Sequence, residues 1–403
     1  MRALGELLKA VDGEYAIKTA QELVRIPSEN PPGREKDVAE YILRELKRLK
    51  FDDIKILEAE PDRPNIIAKL HGRLGTRTLL LNGHMDVVPA GSGWTVPPYG
   101  GVIRDGRLWG RGACDMKGGL AAILAVAKAY RDAALQPEGN ILFTFVVDEE
   151  MGGKKGTGFL ADRGLLKADM AIVAEPSNFR LSVSEGGVVW IKLIIHGKQA
   201  HTINAKAAIN PIEKASKVIQ ELQRLNKKLQ KLRHPKFGSP VLSVNVIRGG
   251  DKINIVPAQC VLQADLRLPP GIGISVKEAQ AYIEQSLKEL TIQDPLLRME
   301  MEFSVVAYPF EQPEDTQIVD LLKSATKAVL GHEAEWWHRG TGAILPKEDS
   351  DVFHLWTKCR IPSVYFGPGE VELAHAVDES IRIEEIVQAA KIFTLTAFMA
   401  VGG

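Results

Sequence analysis

Cysteine is scarce in this chain: Cys114, Cys260 and Cys359 are the three among 403 residues. Three thiols so widely spaced exclude a disulfide framework, and none has a second cysteine at the spacing of a structural zinc site, so Cys114 reads as a small buried residue. Charge of one sign is not in excess either. Lys plus Arg and Asp plus Glu each number 51, so no global field draws nucleic acid or an anionic membrane, and a substrate has to be recognised locally. No apolar run approaches the ~18 residues of a membrane span, and the first residues carry Glu6 and Asp12 without the apolar stretch of a secretory signal. A cytoplasmic protein is the expectation. Two hydrolase signatures are missing as well, the Gly-x-Ser-x-Gly elbow and the His-Glu-x-x-His helix, which removes the general serine hydrolase and the single-zinc protease.

What remains is an ordinary globular composition, 45% apolar and 25% charged, in a chain too long for one core, so two domains are expected. Residues 14–25, 34–50 and 117–131 have helical periodicity, with strand patterns at 54–58, 65–70, 78–82, 141–147 and 169–174. That alternation predicts an α/β layer with a mixed or largely parallel sheet. From about Arg180 the texture changes to strands at 188–196, 241–247 and 260–268 and helices at 210–231 and 275–290, a small α+β domain. After residue 294 the first texture returns, with a strand near 300–307, a helix 315–330, a strand near 362–366 and a helix 382–400. The predicted organisation is one catalytic domain, 1–179 plus 294–403, interrupted by an inserted domain at 180–293. The basic residues Arg224, Lys227, Lys228, Lys231, Arg233 and Lys236 close a helical pattern without interleaved aromatics, and read as a solvated face rather than a nucleic-acid surface.

The chemistry is concentrated at strand ends. His84, Glu149, Glu150 and Glu175 each follow a strand pattern, Asp115 stands in a glycine-rich turn that opens a helix, and His375 comes late. In open α/β sheets the carboxyl ends of strands are where loops gather ligand-binding residues. Singly, His84 or Glu175 would read as structural; jointly they supply the imidazole and carboxylate donors of a two-metal hydrolytic centre. If Asp115 bridges, His84 and Glu175 serve one ion and Glu150 and His375 the other. Glu149, adjacent to a ligand but free of that duty, suits a general base and proton shuttle. Asp86, two residues after His84, suits the task of holding the histidine's other nitrogen; its plainer alternative is a loop-capping aspartate.

GHMDVVP, GRGACDMKGG, DEEMGG, AEPS, GKQAHT and GPGEVELAH, in that order, resemble the motif series of the M20 metallopeptidase and deacylase family, in particular its acetylornithine deacetylase and succinyl-diaminopimelate desuccinylase branch. The resemblance implies a zinc hydrolase with two Zn2+ per chain (Co2+ or Mn2+ in substitution), an α/β mixed-sheet catalytic domain, an inserted α+β dimerisation domain, a homodimer, and a cis peptide after Asp115. It implies that His201 reaches the neighbouring subunit's site to stabilise an oxyanion, and that Asn254 and Arg267 hold a substrate carboxylate. Without it, His201 reads as a surface histidine and Arg267 as the partner of Asp265. Between Trp336 and Phe353 the chain departs from the branch's Gly-Thr-Ser-Asp-Gly-Arg pattern: Asp351 holds the aspartate position, the arginine is absent, and Trp336, Trp337 and Ile344 would make an acyl pocket more apolar unless the tryptophans are core. The expected activity is hydrolysis of an N-acyl amino acid. A dipeptidase or carboxypeptidase of the same fold is the enzymatic alternative, and a catalytically silent binding protein is the alternative of another class.

Overall fold

Runs of Val, Ile, Leu and Phe that break after four to ten residues build the two larger sheets of this protein, and the computed structural model describes residues 2–337 and 350–402. Residues 2–183, 312–337 and 350–402 form one unit and Ser184–Glu311 the other. The first unit holds strands β1 (Asp53–Glu58), β2 (Pro64–Leu70), β3 (Thr78–His84), β4 (Asn140–Val146) and β5 (Met170–Val173), completed by a short strand Ser363–Tyr365. They lie in the order β1-β2-β4-β3-β5 and then Ser363–Tyr365. The pairs β1–β2 and β2–β4 are antiparallel, whereas β4–β3, β3–β5 and β5 with Ser363–Tyr365 are parallel, so the sheet is mixed.

All of β4 and nearly all of β3 is buried, as a central strand covered on both faces requires. Helix Gly118–Asp132, rich in alanine, is buried along most of its length between the sheet and helices Gly13–Arg25 and Ile383–Val401. Small residues let these backbones approach. The closest approach is at Gly119, where a Cβ would stand 2.2 Å from the carbonyl oxygen of Ala174. That contact presses the start of the helix against the end of β5, and so brings the turn before the helix to the residues after the strand.

The second unit is a four-stranded antiparallel sheet of β6 (Gly187–His196), β7 (Val241–Gly249), β8 (Gln259–Leu268) and β9 (Arg298–Ala307) in the order β7-β8-β6-β9. On β8 the alternate residues Cys260, Leu262, Ala264, Leu266 and Leu268 are buried, the period of two that a one-sided sheet imposes. They share a core with helices Pro211–Leu229 and Val276–Gln293. Asn210 caps the first helix just before Pro211, and Ser275 with Glu278 forms a reciprocal capping box on the second.

The domain boundaries differ from the sequence expectation. The strand near 300–307, assigned to the returning catalytic part, is the edge strand β9, paired along β6 from Arg298 with His196 to Ala307 with Val188. Its alternation of Glu300, Glu302 and Ser304 with Met301, Phe303 and Val305 suits an edge strand half open to water, so the second boundary falls after Glu311. At the other end Leu181 bridges Trp336 and Ser182 bridges Tyr365, which carries the first unit to Val183. Trp336 packs against the first core under Lys323, and the buried Trp337 lies edge-on to Tyr365 under Arg180, so both rings are engaged in packing; Ile344 lies outside the described residues. A small sheet of Val102–Arg104, Arg107–Trp109 and Ser380–Arg382 and the helix Asp351–Cys359 were not anticipated. No helix among the described residues is long and apolar enough to cross a membrane.

Replacing Gly119 by alanine forces its Cβ into the Ala174 carbonyl. The expected loss is about 1–3 kcal/mol of unfolding free energy, read as a lower urea midpoint; a wild-type midpoint would contradict the close approach.

Candidate metal centre

Four elements converge at the carboxyl ends of the parallel strands. His84 ends β3, Glu149 and Glu150 follow β4, Glu175 follows β5, and Asp115 lies in the irregular turn Ala113–Lys117 that feeds the buried helix. His375 comes from the loop beyond Ser363–Tyr365, with φ +62, and Asp148, just before the glutamates, has φ +72. Both are left-handed conformations unusual for residues with a Cβ, and such strain gathers at functional sites. The Asp115–Met116 peptide is cis.

The sequence-predicted donors fall into two overlapping groups, His84 with Asp115 and Glu175, and Asp115 with Glu150 and His375. Asp115 presents one oxygen to each: Oδ1 is 3.1 Å from His84 Nε2 and Oδ2 is 3.2 Å from His375 Nε2. Glu175 Oε1 is 3.5 Å from His84 Nε2, and Glu150 Oε2 is 3.0 Å from His375 Nε2. Glu149 belongs to neither group, yet its Oε2 stands 3.8 Å from His84 Nε2. Asp86 is fully buried, and His84 Nδ1 is 2.9 Å from its backbone oxygen and 3.6 Å from its Oδ1. The Asp86 carboxylate accepts the backbone N–H groups of Glu149 and Glu150 at 3.2 and 3.1 Å. It therefore caps the glutamate turn as well as backing the histidine.

The donor set asks for cations. His84 Nδ1 donates its proton to the Asp86 carbonyl, which turns the Nε2 lone pair toward carboxylate oxygens of Asp115 and Glu175. Lone pairs face one another there unless a proton or a metal ion lies between them. Glu175 Oε1 is buried without a hydrogen-bond partner, which fits the same gap. Electrostatics agree. Burial pushes the Glu175 carboxyl up to about 8, with His84 pulling it back, and burial together with the Glu175 charge raises Glu149 well above the carboxylate range. Burial disfavours the His375 cation, yet Asp115 and Glu150 still push its pKa up to about 10. A cluster of carboxylates that captures protons this strongly is one that divalent ions would neutralise.

Two residues that sequence reasoning missed hold Asp115 in place. Glu379 is fully buried; its Oε1 accepts the N–H groups of Cys114 and Asp115 at 2.8 and 2.9 Å, its Oε2 accepts that of Gly112 at 3.0 Å, and Arg111 pairs with the same carboxylate. Nothing around Glu379 in the sequence signals this, because its partners are backbone groups far along the chain. Cys114 is buried with its thiol donating to the Glu370 carbonyl, and burial raises its pKa, so it is inert. Asp351 is fully buried at the start of helix Asp351–Cys359, and burial pushes it up to about 7.

The remaining predicted residues lie in the second unit. His201 and Asn254 are neighbours there, because Ala200–His201 pairs with Ile255–Val256; His201 Nδ1 accepts the Ile203 N–H at 3.2 Å and Nε2 is 3.4 Å from the Asn254 amide. Arg267 Nε donates to Asp265 Oδ2 at 2.7 Å. That is the ion-pair alternative, although within one strand rather than between two.

The description peptidase family M20/M25/M40 matches residues 80–398, and the chain belongs to that family of hydrolases. It is similar to an N-formyl-4-amino-5-aminomethyl-2-methylpyrimidine deformylase of Halalkalibacterium halodurans, at 31% identity over 99% of this chain and 97% of the relative. It is also similar to a succinyl-diaminopimelate desuccinylase of Rhodospirillum centenum, at 29% identity over 94% of this chain and 95% of the relative. Among solved structures, an M20 family metallo-carboxypeptidase of Sulfolobus solfataricus has the same fold, with a TM-score of 0.76 and 20% identity over 94% of this chain and 98% of that one.

Removing Glu379 would strand Arg111 and three N–H groups in a dry interior. For Glu379→Ala the expected loss is about 3–5 kcal/mol of stability, seen as a large fall in the denaturant midpoint of the metal-free protein; an unchanged midpoint would show that the turn before the helix does not need this carboxylate.

Proposed function

We propose that this protein is a two-metal amidohydrolase that cleaves the linear amide of an N-acyl amine, with an N-acyl amino acid as the leading substrate class. The observation that carries the reading is the pair of overlapping donor groups that share Asp115, with Glu149 beside them and outside both. His84, Asp115 and Glu175 would hold one divalent cation and Asp115, Glu150 and His375 the other, with zinc the expected ion and cobalt or manganese able to substitute. Such a pair, when bound, supplies Lewis acidity that makes a water more acidic and polarises an amide carbonyl.

The chain's own residues do the rest. Glu149 takes the proton of the attacking water on its carboxylate and delivers it to the departing amine nitrogen; its raised proton affinity, from burial and the Glu175 charge, suits that double task. Asp86 keeps the His84 ring oriented and fixes the backbone beneath Glu149. His201 accepts the Ile203 N–H on Nδ1, which leaves Nε2 as the ring nitrogen able to face a substrate. We assign that nitrogen to the oxyanion in the site of a second copy, which makes the working enzyme a homodimer; the exposed Ile203, Ile247 and Ile253 give the second unit apolar surface for such an interface. Asn254, beside His201, and Arg267, whose Nε is held by Asp265, are assigned to the substrate carboxylate. The three free cysteines suit a reducing compartment, the cytoplasm.

Formyl and succinyl groups named for the relatives share only the amide, so the acyl group is the variable to measure. Zinc-loaded protein offered N-formyl, N-acetyl, N-succinyl and dipeptide substrates is expected to favour an N-acyl compound. Release of two amino acids from dipeptides would transfer the assignment to a dipeptidase, and no turnover at all would favour a binding protein. Metal analysis should find about two zinc equivalents per chain. The Glu149→Gln protein is expected to keep both ions and lose roughly a hundredfold to ten-thousandfold in kcat; wild-type turnover would remove Glu149 from the mechanism. His201→Ala should leave the dimer intact and slow turnover by about a hundredfold, and an unchanged rate would return His201 to the surface.

A further inference from the structure

A second set of buried charges lies outside both donor groups. Asn30, Glu35, Arg63, Asp86 and Asp148 are all buried. The Arg63 guanidinium forks onto Glu35, with Nε donating to Oε2 at 3.0 Å and Nη2 to Oε1, the two-bond geometry that only arginine provides. Its remaining nitrogen, Nη1, stands 3.2 Å from Asp148 Oδ1, with the exposed Glu60 further off at 3.6 Å. Asn30 Nδ2 donates to Asp86 Oδ2 at 2.9 Å and lies 3.4 Å from Asp148 Oδ1. A continuous line of contacts therefore runs from Glu35 through Arg63, Asp148 and Asn30 to Asp86. The turn before Glu35 closes over it: a Cβ on Gly33, whose φ is +97, would stand 2.5 Å from Arg63 Nε.

Asp148 and Asp86 grip the glutamate turn from both sides. The Asp148 backbone oxygen accepts from Met151 and Gly153 at 3.1 and 2.7 Å, and its Oδ2 accepts from Lys155 at 3.0 Å. Asp86 accepts from the N–H groups of Glu149 and Glu150 and backs His84. Two carboxylates this close and this dry repel, and a single amide between them carries no charge. Arg63 supplies the fixed positive charge that lets both stay in place.

We propose that Arg63 is a positioning residue for the metal centre: clamped by Glu35, it holds Asp148 and, through Asn30, Asp86, and so sets the Glu149–Glu150 turn and the His84 ring for cation binding. The proposal rests on the two-metal reading above. A merely structural ion pair would stabilise the fold and leave cation affinity untouched, which gives the test.

Arg63→Met alone strands Glu35, so the informative protein is R63M/E35Q, in which the pair is removed as a neutral unit. Zinc affinity is measured by competition with a chromophoric chelator, and the melting midpoint of the metal-free protein is measured beside it. The double variant is expected to fold with a lowered midpoint, because Asp148 loses its cation, while its zinc dissociation constant rises about tenfold or more. Wild-type affinity in a folded double variant overturns the proposal. Should that protein fail to fold, Arg63→Lys keeps charge and bulk but not the fork; tenfold weaker zinc binding there upholds the proposal and unchanged binding overturns it. A wild-type protein that takes up no divalent cation would instead sink the two-metal reading, a distinct failure.

Discussion

The arrangement depends on one carboxylate that is claimed from two sides. Asp115 offers an oxygen to each of two histidines that reach it from distant parts of the chain, and its own backbone is held by Glu379. A short buried side chain can serve two partners only if its position is fixed to within a fraction of an ångström, because neither oxygen can move toward one without leaving the other. The surrounding fold supplies that fixation. Gly119 lets the helix after Asp115 lie against the end of β5, the Glu379 carboxylate gathers three N–H groups of the preceding turn, and Arg111 balances the charge this buries.

The balance of charge explains the rest of the interior. Three carboxylates near the site have different compensators: Glu379 has Arg111, Asp148 has Arg63, and Asp86 has backbone N–H groups and an amide. Among the described residues, Asp115, Glu150 and Glu175 have the two histidines as their cationic partners. A buried anion lacking a fixed cation either takes up a proton or binds a metal. The partition is thus built into the chain: carboxylates that hold backbone are neutralised permanently by arginine or N–H groups, and those that would hold ions are left short of positive charge.

Most of the strands and helices were legible from periodicity alone, because β3, β4 and β5 are short apolar runs ended by His84, by Asp148 with its glutamates, and by Glu175. The candidate donors His84, Glu150 and Glu175 stood out for the same reason, since each follows such a run. What escaped was whatever depends on partners distant in sequence. Glu379 looks like any acid near a loop end until the turn 112–115 is laid on it, and Arg63 looks like a solvated residue until Glu35 closes over it. The misplaced second boundary has a different cause: β9 is an edge strand whose alternation fits either unit, and only its pairing with β6 decides.

The two units also differ in what they ask of chemistry. The first carries a group of donors complete in itself, every member brought within reach of Asp115 by elements of one sheet. The second carries His201 and Asn254 on a surface strand pair, with Nδ1 of the histidine accepting a backbone N–H. Its Nε2 lies 3.4 Å from the Asn254 amide. Under the two-metal reading proposed above, the oxyanion forming at an amide carbonyl is the charge that this ring would meet.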